Sequence, residues 1–394
     1  MSELKTYLLE DVVEKLIDYR GKTPVKTDSG IPLITAKVIK NGRIETPNEF
    51  IAEEEYESWM TRGIPEIGDV VLTTEAPLGE VAQINTTDKI ALAQRVITLR
   101  GKKNVLDSTY LKYFLFSPIG QGNLKAKETG STVTGIKQSE LRKVEIYAPD
   151  YETQIEIASI LSSLDDKIEL NLQMNQTLEA MAQAIFKEWF VNFNFPGFDG
   201  KLVDGLPKGW RMGKVGEEFN LTMGQSPPGN TYNENGEGMV FYQGRTDFGF
   251  RFPENRMFTT APTRIAEKLD TLVSVRAPVG DINMAIEKCC VGRGLSAVRH
   301  KTGAYSYTFY AMKSIEPIFR GYEGEGTVFG SINKGNFENI EIISPDKNII
   351  TEFENIVNAI DDKIFNNSEE IKSLTQIRDS LLPKLMTGKI EIQA

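Results

Sequence analysis

The 394-residue sequence predicts an α+β protein in which one structural unit occurs twice. Three observations support this fold class. Short motifs recur in the same order in both halves, each half contains short strands punctuated by glycine and proline, and each half ends in a long segment with helical apolar spacing. We therefore expect two domains of mixed α/β type, related by a pseudo-two-fold axis and separated by a long antiparallel two-helix coiled coil.

Four motifs support the duplication. Each occurs once in each half, and from the third motif onward the offset is a constant 196 residues. The pairs are Ala76-Pro77-Leu78-Gly79-Glu80 with Ala277-Pro278-Val279-Gly280-Asp281, Thr132-Val133-Thr134-Gly135 with Thr327-Val328-Phe329-Gly330, Pro149-Asp150 with Pro345-Asp346, and Asp165-Asp166-Lys167-Ile168 with Asp361-Asp362-Lys363-Ile364. One such match could arise by chance, but four in the same order make coincidence improbable.

The mixed segments and the helical segments give the domain boundaries. We predict a first domain over residues 1–149, a first helical segment over 150–195, a second domain over 196–345 and a second helical segment over 346–394. Within the domains, 31–39 and 239–244 have the composition of strands, and helices are predicted over 109–117 and 304–314.

Both helical segments carry apolar residues at alternating steps of four and three, which is the period of a coiled-coil seam. Asp150 and Asp346 each follow a proline and are expected to cap the helix starts. Pro383 is expected to kink or end the second helix. Because the chain leaves the first domain through one helix and the second domain through the other, helices that cross the same gap must be antiparallel.

Two seam positions are occupied by asparagine close to the midpoint of the predicted helix pair. We expect Asn171 and Asn367 to face each other there and to fix the helix register, since sliding would leave each amide unpaired against apolar neighbours. The alternative is that both amides simply reach water.

Composition excludes several classes of protein. The formal net charge is −10, and residues 150–195 and 346–394 carry −9 of it, so the two domains are close to neutral and DNA binding is neither supported nor excluded. No apolar run is long enough for a membrane span and the N-terminus lacks signal-peptide character, so we expect a cytoplasmic protein without membrane association. Cys289 and Cys290 are adjacent, which excludes a disulfide scaffold, and the single histidine, His300, is expected at an exposed strand end.

The sequence contains few signs of catalytic chemistry. It has no phosphate-binding GxxxxGK[ST] loop, no GxGxxG after a strand, no HExxH and no acidic cluster with metal-ligand spacing. The acidic pairs at 165–166 and 361–362 lie between seam positions, where a solvated or partner-facing role is expected. We therefore expect no catalytic residue and no metal site on this chain.

Several sequence segments resemble those of one protein family. The helix ending AIFKEWFVNFNF, the linker LVDGLPKGW and the ending RDSLLPKLMTGKIEI, together with the repeated units, resemble the specificity (S) subunit of type I restriction–modification systems. The resemblance covers essentially the whole chain. It implies two target-recognition domains that each read one half of an asymmetric bipartite site in double-stranded DNA, and two helices that set the spacer and dock two modification (methyltransferase) subunits.

The resemblance also implies where the chemistry takes place. Methylation with S-adenosylmethionine and ATP-driven cleavage are expected on the partner subunits, with restriction (translocase/nuclease) subunits in the full complex and no cofactor on this chain. Two alternatives remain open: a stand-alone DNA-binding scaffold or regulator of the same fold without a methyltransferase partner, and an enzyme such as a nuclease or fused methyltransferase. The missing S-adenosylmethionine loop and adenine-pocket motif weigh against the second.

Sequence-specific contact requires side chains with donors and acceptors that reach base edges, while Lys, Ser and Thr hold phosphates. We expect such residues at strand ends and in loops. In the first domain the candidates are Lys22, Thr35, Lys37, Lys40, Gln94, Arg95, Lys125, Lys127, Thr132 and Lys137; in the second they are Gln225, Gln243, Arg245, Asp247, Arg276, Arg293 and Lys334.

An aromatic cluster follows the first helical seam. Its members are Phe186, Trp189, Phe190, Phe193 and Phe195. We expect them to pack in the core of the second domain, because the helix must meet that domain here. The alternative is a surface that receives a methyltransferase subunit.

Overall fold

A computed structural model describes residues 4–21, 23–130, 134–323 and 330–390. The chain forms two compact units. Unit 1 comprises Met1–Asn171 with Glu369–Ala394, and unit 2 comprises Leu172–Ser368. Each unit therefore contains one mixed domain and about half of each long helix. In the described part of the chain, none of the helices combines the length and apolar character that a bilayer crossing requires.

Unit 1 begins with short strands and ends in a long helix. Its elements are β1 (Lys5–Leu8), α1 (Leu9–Val12), β2 (Val13–Asp18), β3 (Ile31–Ile34), β4 (Ile39–Lys40), β5 (Arg43–Ile44), β6 (Phe50–Ile51), α2 (Tyr56–Trp59), β7 (Val70–Thr74), β8 (Leu78–Gln83), β9 (Ala91–Leu92), β10 (Val96–Gly101), α3 (Ser108–Phe116), α4 (Pro118–Lys125), α5 (Gln138–Leu141), β11 (Glu145–Ala148) and the first part of α6 (Tyr151–Phe190).

A four-stranded antiparallel sheet in the order β2-β10-β7-β8 forms the centre of unit 1. Its two faces enter different cores because successive side chains of a strand point to opposite sides. Val70 and Leu72 pack towards α3 and the helix residues Leu161 and Leu385, whereas Val71 packs towards the smaller sheet β6-β3-β9.

Unit 2 repeats this plan. Its elements are the second part of α6, β12 (Leu202–Val203), β13 (Leu206–Pro207), β14 (Arg211–Lys214), α7 (Val215–Glu218), β15 (Phe219–Met223), β16 (Tyr232–Asn233), β17 (Met239–Tyr242), β18 (Phe258–Thr259), β19 (Ile265–Ala266), β20 (Thr271–Ser274), β21 (Ile282–Met284), β22 (Cys289–Val291), β23 (Leu295–His300), α8 (Tyr305–Ser314), α9 (Glu316–Arg320), α10 (Lys334–Glu338), β24 (Glu341–Ser344) and α11 (Lys347–Met386), whose last part belongs to unit 1.

The central sheet of unit 2 has the order β15-β23-β20-β21, again antiparallel, and a five-stranded sheet β16-β18-β17-β22-β19 takes the place of the smaller sheet of unit 1. The parallel pair β3 and β9 of unit 1 corresponds to the parallel pair β17 and β22 of unit 2. The predicted α+β class and the predicted helices at 109–117 and 304–314 are confirmed by α3 and α8.

The repeated Ala-Pro motifs make the same turn in both units. In unit 1 the hydroxyl of Thr73 donates to the carbonyl oxygen of Pro77 (2.7 Å) and accepts from the amide of Glu80 (2.9 Å). In unit 2 the hydroxyl of Ser274 donates to Pro278 (2.8 Å) and accepts from Asp281 (2.9 Å). The same hydrogen bonds recur at equivalent residues, which supports the predicted duplication.

The aromatic cluster packs in the core of unit 2, as predicted. Phe186, Trp189 and Phe190 are buried, and Phe190 stacks on Trp210 with ring centroids 5.9 Å apart. Phe193 and Phe195 are partly buried and pack against the same core. The five aromatic residues contact this core because the helix meets its domain here.

The prediction for His300 was wrong in one respect. His300 does lie at the end of a strand, but it is only 2% exposed. Its ring packs edge-on against Phe219 and Tyr307, and Nδ1 lies 2.7 Å from the Thr302 hydroxyl. The residues next to His300 in sequence do not indicate that α8, which lies further along the chain, covers its ring. Burial lowers the pKa of His300 to about 4.

The two long helices begin where predicted. The carboxylate of Asp150 accepts from the amide of Thr153 (3.0 Å), and that of Asp346 accepts from the amide of Asn348 (2.8 Å). Each helix has 40 residues. The prediction that Pro383 ends or kinks the second helix was wrong about the end, because α11 continues to Met386, three residues beyond Pro383.

The helix segments within each unit run antiparallel. In unit 1, Asn171 bonds to Glu370 and Asp165 to Arg378, so one helix ascends as the other descends. In unit 2 the ring of Phe186 lies 5.7 Å from that of Phe353, while Asn175 pairs with Asn367 nearer the middle of the helices.

The predicted register pair is wrong by about one helical turn. The Asn367 amide donates to Asn175 Oδ1 (2.9 Å), and the Asn171 amide donates to Glu370 (2.9 Å), so Asn171 and Asn367 each have a different partner from the one predicted. Asn171 is 0% exposed and Asn367 is 1% exposed, so neither amide is open to solvent. The seam period identifies the contacting face, but it does not identify which turn of one helix meets which turn of the other.

Candidate nucleic-acid interface

Five of the ten predicted contact residues of unit 1 lie at one end of its central sheet: Thr35, Lys37, Gln94, Arg95 and Lys137. Neighbouring strands are antiparallel, so β2 and β7 finish at the end where β10 begins. Arg95 precedes β10 there, and the amide of Ile136 donates to the carbonyl of Thr74 (2.9 Å), which brings Lys137 to the same end. The amide of Ala93 donates to the carbonyl of Ile34 (3.0 Å), so the segment after β3 joins it.

We call this end the polar edge of unit 1. It consists of the residues that flank the strand ends: Tyr19–Gly21, Thr35–Lys37, Glu75–Ala76, Gln94–Arg95 and Thr134–Lys137.

Unit 2 has the same edge. Gln225 follows β15, Arg276 follows β20 and Arg293 precedes β23. The amide of Gly292 donates to the carbonyl of Tyr242 (2.8 Å), which brings Gln243 alongside. The polar edge of unit 2 thus consists of Gly224–Ser226, Gln243–Arg245, Val275–Arg276, Gly292–Gly294 and Ser331–Lys334.

Strand register makes the positions of the two edges comparable. Ile97 pairs with Asp18 and Ser296 with Met223, and both units have equivalent parallel pairs. The equivalent pairs that result are Arg20 with Gln225, Thr35 with Gln243, Lys37 with Arg245, Glu75 with Arg276 and Gln94 with Arg293. In each pair, two different residue types occupy equivalent backbone positions.

Two exposed arginines on the edges have acidic neighbours. Arg95 Nε lies 2.9 Å from Glu75 Oε1, and Arg245 forms an ion pair with Asp281. The arginine side chains are 48% and 59% exposed. Exposed ion pairs contribute about 0–1 kcal/mol, so a phosphate or base could displace either carboxylate.

Two candidates are not surface residues, which corrects the prediction. Thr35 is 8% exposed and its hydroxyl has no hydrogen-bond partner. Asp247 is 3% exposed, and its carboxylate accepts from the amide of Gln243 and from Arg256, both at 2.9 Å. Asp247 lies in the polar loop that follows an aromatic strand, which made it a candidate, but its short side chain folds back and holds that loop.

The predicted lysines lie both on the polar edges and away from them: Lys37 and Lys334 are edge residues, whereas Lys40, Lys125 and Lys127 are not. Lys37 and Lys40 are exposed and lie 3.2 Å from Glu49 and Glu45. Lys125 is exposed and lines a cavity of about 680 Å³ that includes the Ala76–Leu78 turn, whereas Lys127 is half-buried. Lys334 is exposed beside Glu338 in α10.

Lys22 and Thr132 lie outside the described residues. Their predicted roles stay predictions.

Sequence reasoning missed Arg20. Its guanidinium is held by Asp18 (Nη2–Oδ2 2.6 Å) and donates to the carbonyl of Ile136 (2.7 Å), which fixes it at the polar edge of unit 1. Arg20 occupies the position of Gln225 in unit 2. Alignment of the two halves strand by strand, rather than by their short motifs, would have identified it.

The prediction of solvated acidic pairs holds for Asp166 and Asp362, which are exposed, but not for their neighbours Asp165 and Asp361, which are paired within the protein. Asp165 accepts from Lys112 (2.6 Å) and Arg378 (2.9 Å), while Asp361 accepts from Arg251 (2.5 Å). Burial opposes ionisation at both, but the donors around Asp165 outweigh it and lower its pKa, whereas burial dominates at Asp361 and raises its pKa. These carboxylates join each domain to its helices.

The described residues contain no group of three or more His, Cys, Asp or Glu side chains that could hold a metal ion. What the edges present is a set of guanidinium, amide and ammonium groups on loops supported by a rigid sheet. Arg and amide side chains can form paired hydrogen bonds with base edges, and ammonium groups suit phosphates.

Comparison with known proteins identifies the family of this chain. The family model described as the type I restriction modification DNA specificity domain matches twice, over residues 1–180 and 207–376. The type I restriction enzyme MjaIX specificity subunit of Methanocaldococcus jannaschii is 27% identical, covering 92% of this chain and 87% of that protein. The HindI specificity subunit of Haemophilus influenzae is 26% identical, covering 78% of this chain and 82% of its own.

The fold also has a counterpart among solved structures. The S subunit of the type I restriction–modification system from M. genitalium has a TM-score of 0.59 at 18% identity, covering 99% of this chain and 97% of that chain. Two matches of the family model, one on each unit's recognition domain, account for most of the sequence. The chain therefore belongs to the type I restriction–modification DNA specificity family.

Proposed function

We propose that this chain is the DNA sequence-specificity subunit of a type I restriction–modification complex, and that each recognition domain reads one half of an asymmetric bipartite site. The observation that carries the proposal is the pair of polar edges. Equivalent positions lie on the same backbone platform but differ in residue type, for example Gln94 against Arg293. Base readout depends on side-chain donors and acceptors, so two such edges select two unrelated half-sites.

The long helices have separate tasks in this proposal. A 40-residue helix is about 60 Å long, and one turn of DNA is about 34 Å. We propose that the helix pair sets the spacer between the half-sites and docks two modification (methyltransferase) subunits. The acidic charge of the helical segments outside the seam provides a polar face for those partners.

Chemistry is assigned to the partners. S-adenosylmethionine and the methyl transfer belong to the modification subunits, and ATP belongs to the restriction (translocase/nuclease) subunits, while this chain contributes DNA recognition without catalysis. The proposal places the complex in the cytoplasm, where its DNA substrate is found.

Reconstitution tests the proposal. The chain, expressed with its cognate methyltransferase, should copurify with it, and the pair should transfer methyl groups to DNA that the methyltransferase alone leaves unmodified. A methyltransferase that modifies the same sites without this chain would contradict the proposal. Native expression without any copurifying methyltransferase would favour a stand-alone DNA-binding scaffold, and methyl transfer by the purified chain alone would show that it is an enzyme.

A further inference from the structure

A buried aspartate occupies the equivalent helix position in both units, and its counter-charge comes from different parts of the chain. In unit 1, Asp165 on α6 is bonded by Arg378, which lies on the other helix, α11. Lys112 and the Tyr113 hydroxyl of α3 complete the site, at 2.6 and 2.7 Å. The helix pair thus supplies its own arginine in unit 1.

In unit 2 the helix pair lacks that arginine. The residue 196 positions before Arg378 is Ala182, which is fully buried and apolar. The guanidinium that reaches Asp361 belongs instead to Arg251, which lies in the loop between the short 3₁₀ turn Arg245–Asp247 and β18. Asp361 also accepts from the hydroxyls of Ser306 (2.6 Å) and Tyr310 (3.2 Å).

Arg251 is enclosed on all sides. Its side chain is 0% exposed, its Cζ lies 3.4 Å from the centroid of the Phe309 ring, and Nη1 lies 3.7 Å from Glu179 Oε2 on α6. Lys313 of α8 is the second cation on Glu179. A buried charge without its partner is strongly unfavourable, so the position of this guanidinium is fixed by both long helices.

The backbone around Arg251 connects to the polar edge of unit 2. The carbonyl of Arg251 accepts from the amide of Met284 (2.9 Å), and the carbonyl of Gly249 accepts from the side chain of Asn283 (2.9 Å). The same loop begins with Gln243 and Arg245, two of the predicted base contacts. A shift of Arg251 would therefore move the loop that carries them.

We propose that Arg251 is a positioning residue for DNA selectivity: by bonding Asp361 and facing Glu179, it holds loop 243–251 against the helix segments of unit 2 and so sets the base choice at the half-site read by the second domain. The inference rests on the proposed function. Its counterpart in unit 1 is different: the aligned residue, Arg43, pairs with Glu169 of α6 (3.5 Å) at a partly exposed site, while the buried Asp165 is paired by Arg378 from within the helices.

The test compares four full-length proteins, each copurified with the methyltransferase partner, by selection from duplexes with two randomised half-sites and by thermal melting. They are the wild type, Arg251→Met, Arg378→Met as the matched control, and Arg251→Met combined with Ala182→Arg. The control removes the equivalent counter-charge without altering a base-contacting loop.

Arg251→Met should reduce base discrimination about tenfold at the second half-site, the lower end of what one base pair contributes, and leave the first half-site unchanged. Arg378→Met should lower the melting temperature and leave both half-sites unchanged. The Ala182→Arg combination should recover melting temperature but not base choice, because its arginine comes from the helix and not from the loop.

If Arg251→Met does not fold, Arg251→Lys replaces it, since lysine keeps the charge but loses the paired donors and ring stacking. Unaltered selectivity at the second half-site in a folded Arg251 variant would overturn the inference, as would equal loss at both half-sites. A wild-type complex that selects no motif would instead overturn the proposed function.

Discussion

At the scale of single residues, the two edges differ in what they can bind although their backbones correspond. Arg276 stands where unit 1 has Glu75, and Arg293 where it has Gln94. A residue's type could be taken from the sequence, but its exposure could not. Thr35 and Asp247 have side chains that could form hydrogen bonds with DNA. Only the packing of neighbouring loops shows that both are buried.

Arg245 is the residue best suited to test base contact. Arg245→Ala should cost about 1–3 kcal/mol of binding to the cognate site and relax selectivity only in the half-site read by the second domain, if the guanidinium pairs with guanine. Binding of cognate and altered duplexes by fluorescence anisotropy measures this. Equal loss on all sequences would instead identify a phosphate contact.

Asp281 provides the control for that variant. Because its carboxylate pairs with Arg245 in the free protein, Asp281→Asn should raise affinity for DNA of any sequence. Unchanged affinity would mean that the ion pair does not compete with DNA.

His300 should make unit 2 sensitive to mild acid. Burial lowers its pKa from 6.5 to about 4, so between these values the unfolded chain binds more protons than the folded one. The contribution of His300 to the free energy of unfolding is therefore fully present above about pH 6.5. It decreases as the pH falls towards 4, by up to about 3 kcal/mol. Urea unfolding followed by tryptophan fluorescence, at pH 7.5 and 5, measures the loss, since Trp189 and Trp210 lie in this core.

The matched variant is His300→Gln, which cannot gain a proton. Its difference in stability between pH 7.5 and pH 5 should be smaller than that of the wild type. An identical difference would assign the acid sensitivity to other groups.

At the scale of elements, the sequence predicted the helices better than their register. Capping by Asp150 and Asp346 and the 3.5-residue seam are local signals, and α6 and α11 begin within a residue of the predicted starts. Which turn of α6 meets which turn of α11 depends on both domains at once, so Asn175 rather than Asn171 pairs with Asn367. Likewise, Arg251 meets Asp361 across 110 residues of sequence, and no local pattern indicates it.

The Asn175–Asn367 pair should favour one register at a cost in stability. Asn367→Leu leaves the buried amide of Asn175 without that partner and should destabilise unit 2 by about 1–3 kcal/mol. The double variant with Asn175→Leu should regain or exceed wild-type stability, since two apolar residues replace two buried amides. Urea unfolding measures both. No loss in the single variant would mean that the Asn175 amide is satisfied by water.

At the scale of the whole molecule, duplication is the feature from which the rest follows. Repeated motifs predicted two copies of one fold, and the sheet orders β2-β10-β7-β8 and β15-β23-β20-β21 confirm it. The smaller sheets differ, with three strands in unit 1 and five in unit 2. The smaller sheets end beside the polar edges, where two copies that select different sequences are expected to differ.

The most direct measurement is methylome sequencing of cells that carry the complete system with and without this chain. The account predicts methylation that appears only when the chain is present, at a bipartite motif whose two halves are unrelated in sequence and separated by a fixed number of unspecified bases. A palindromic motif, or the same methylated sites in cells that lack the chain, would contradict it.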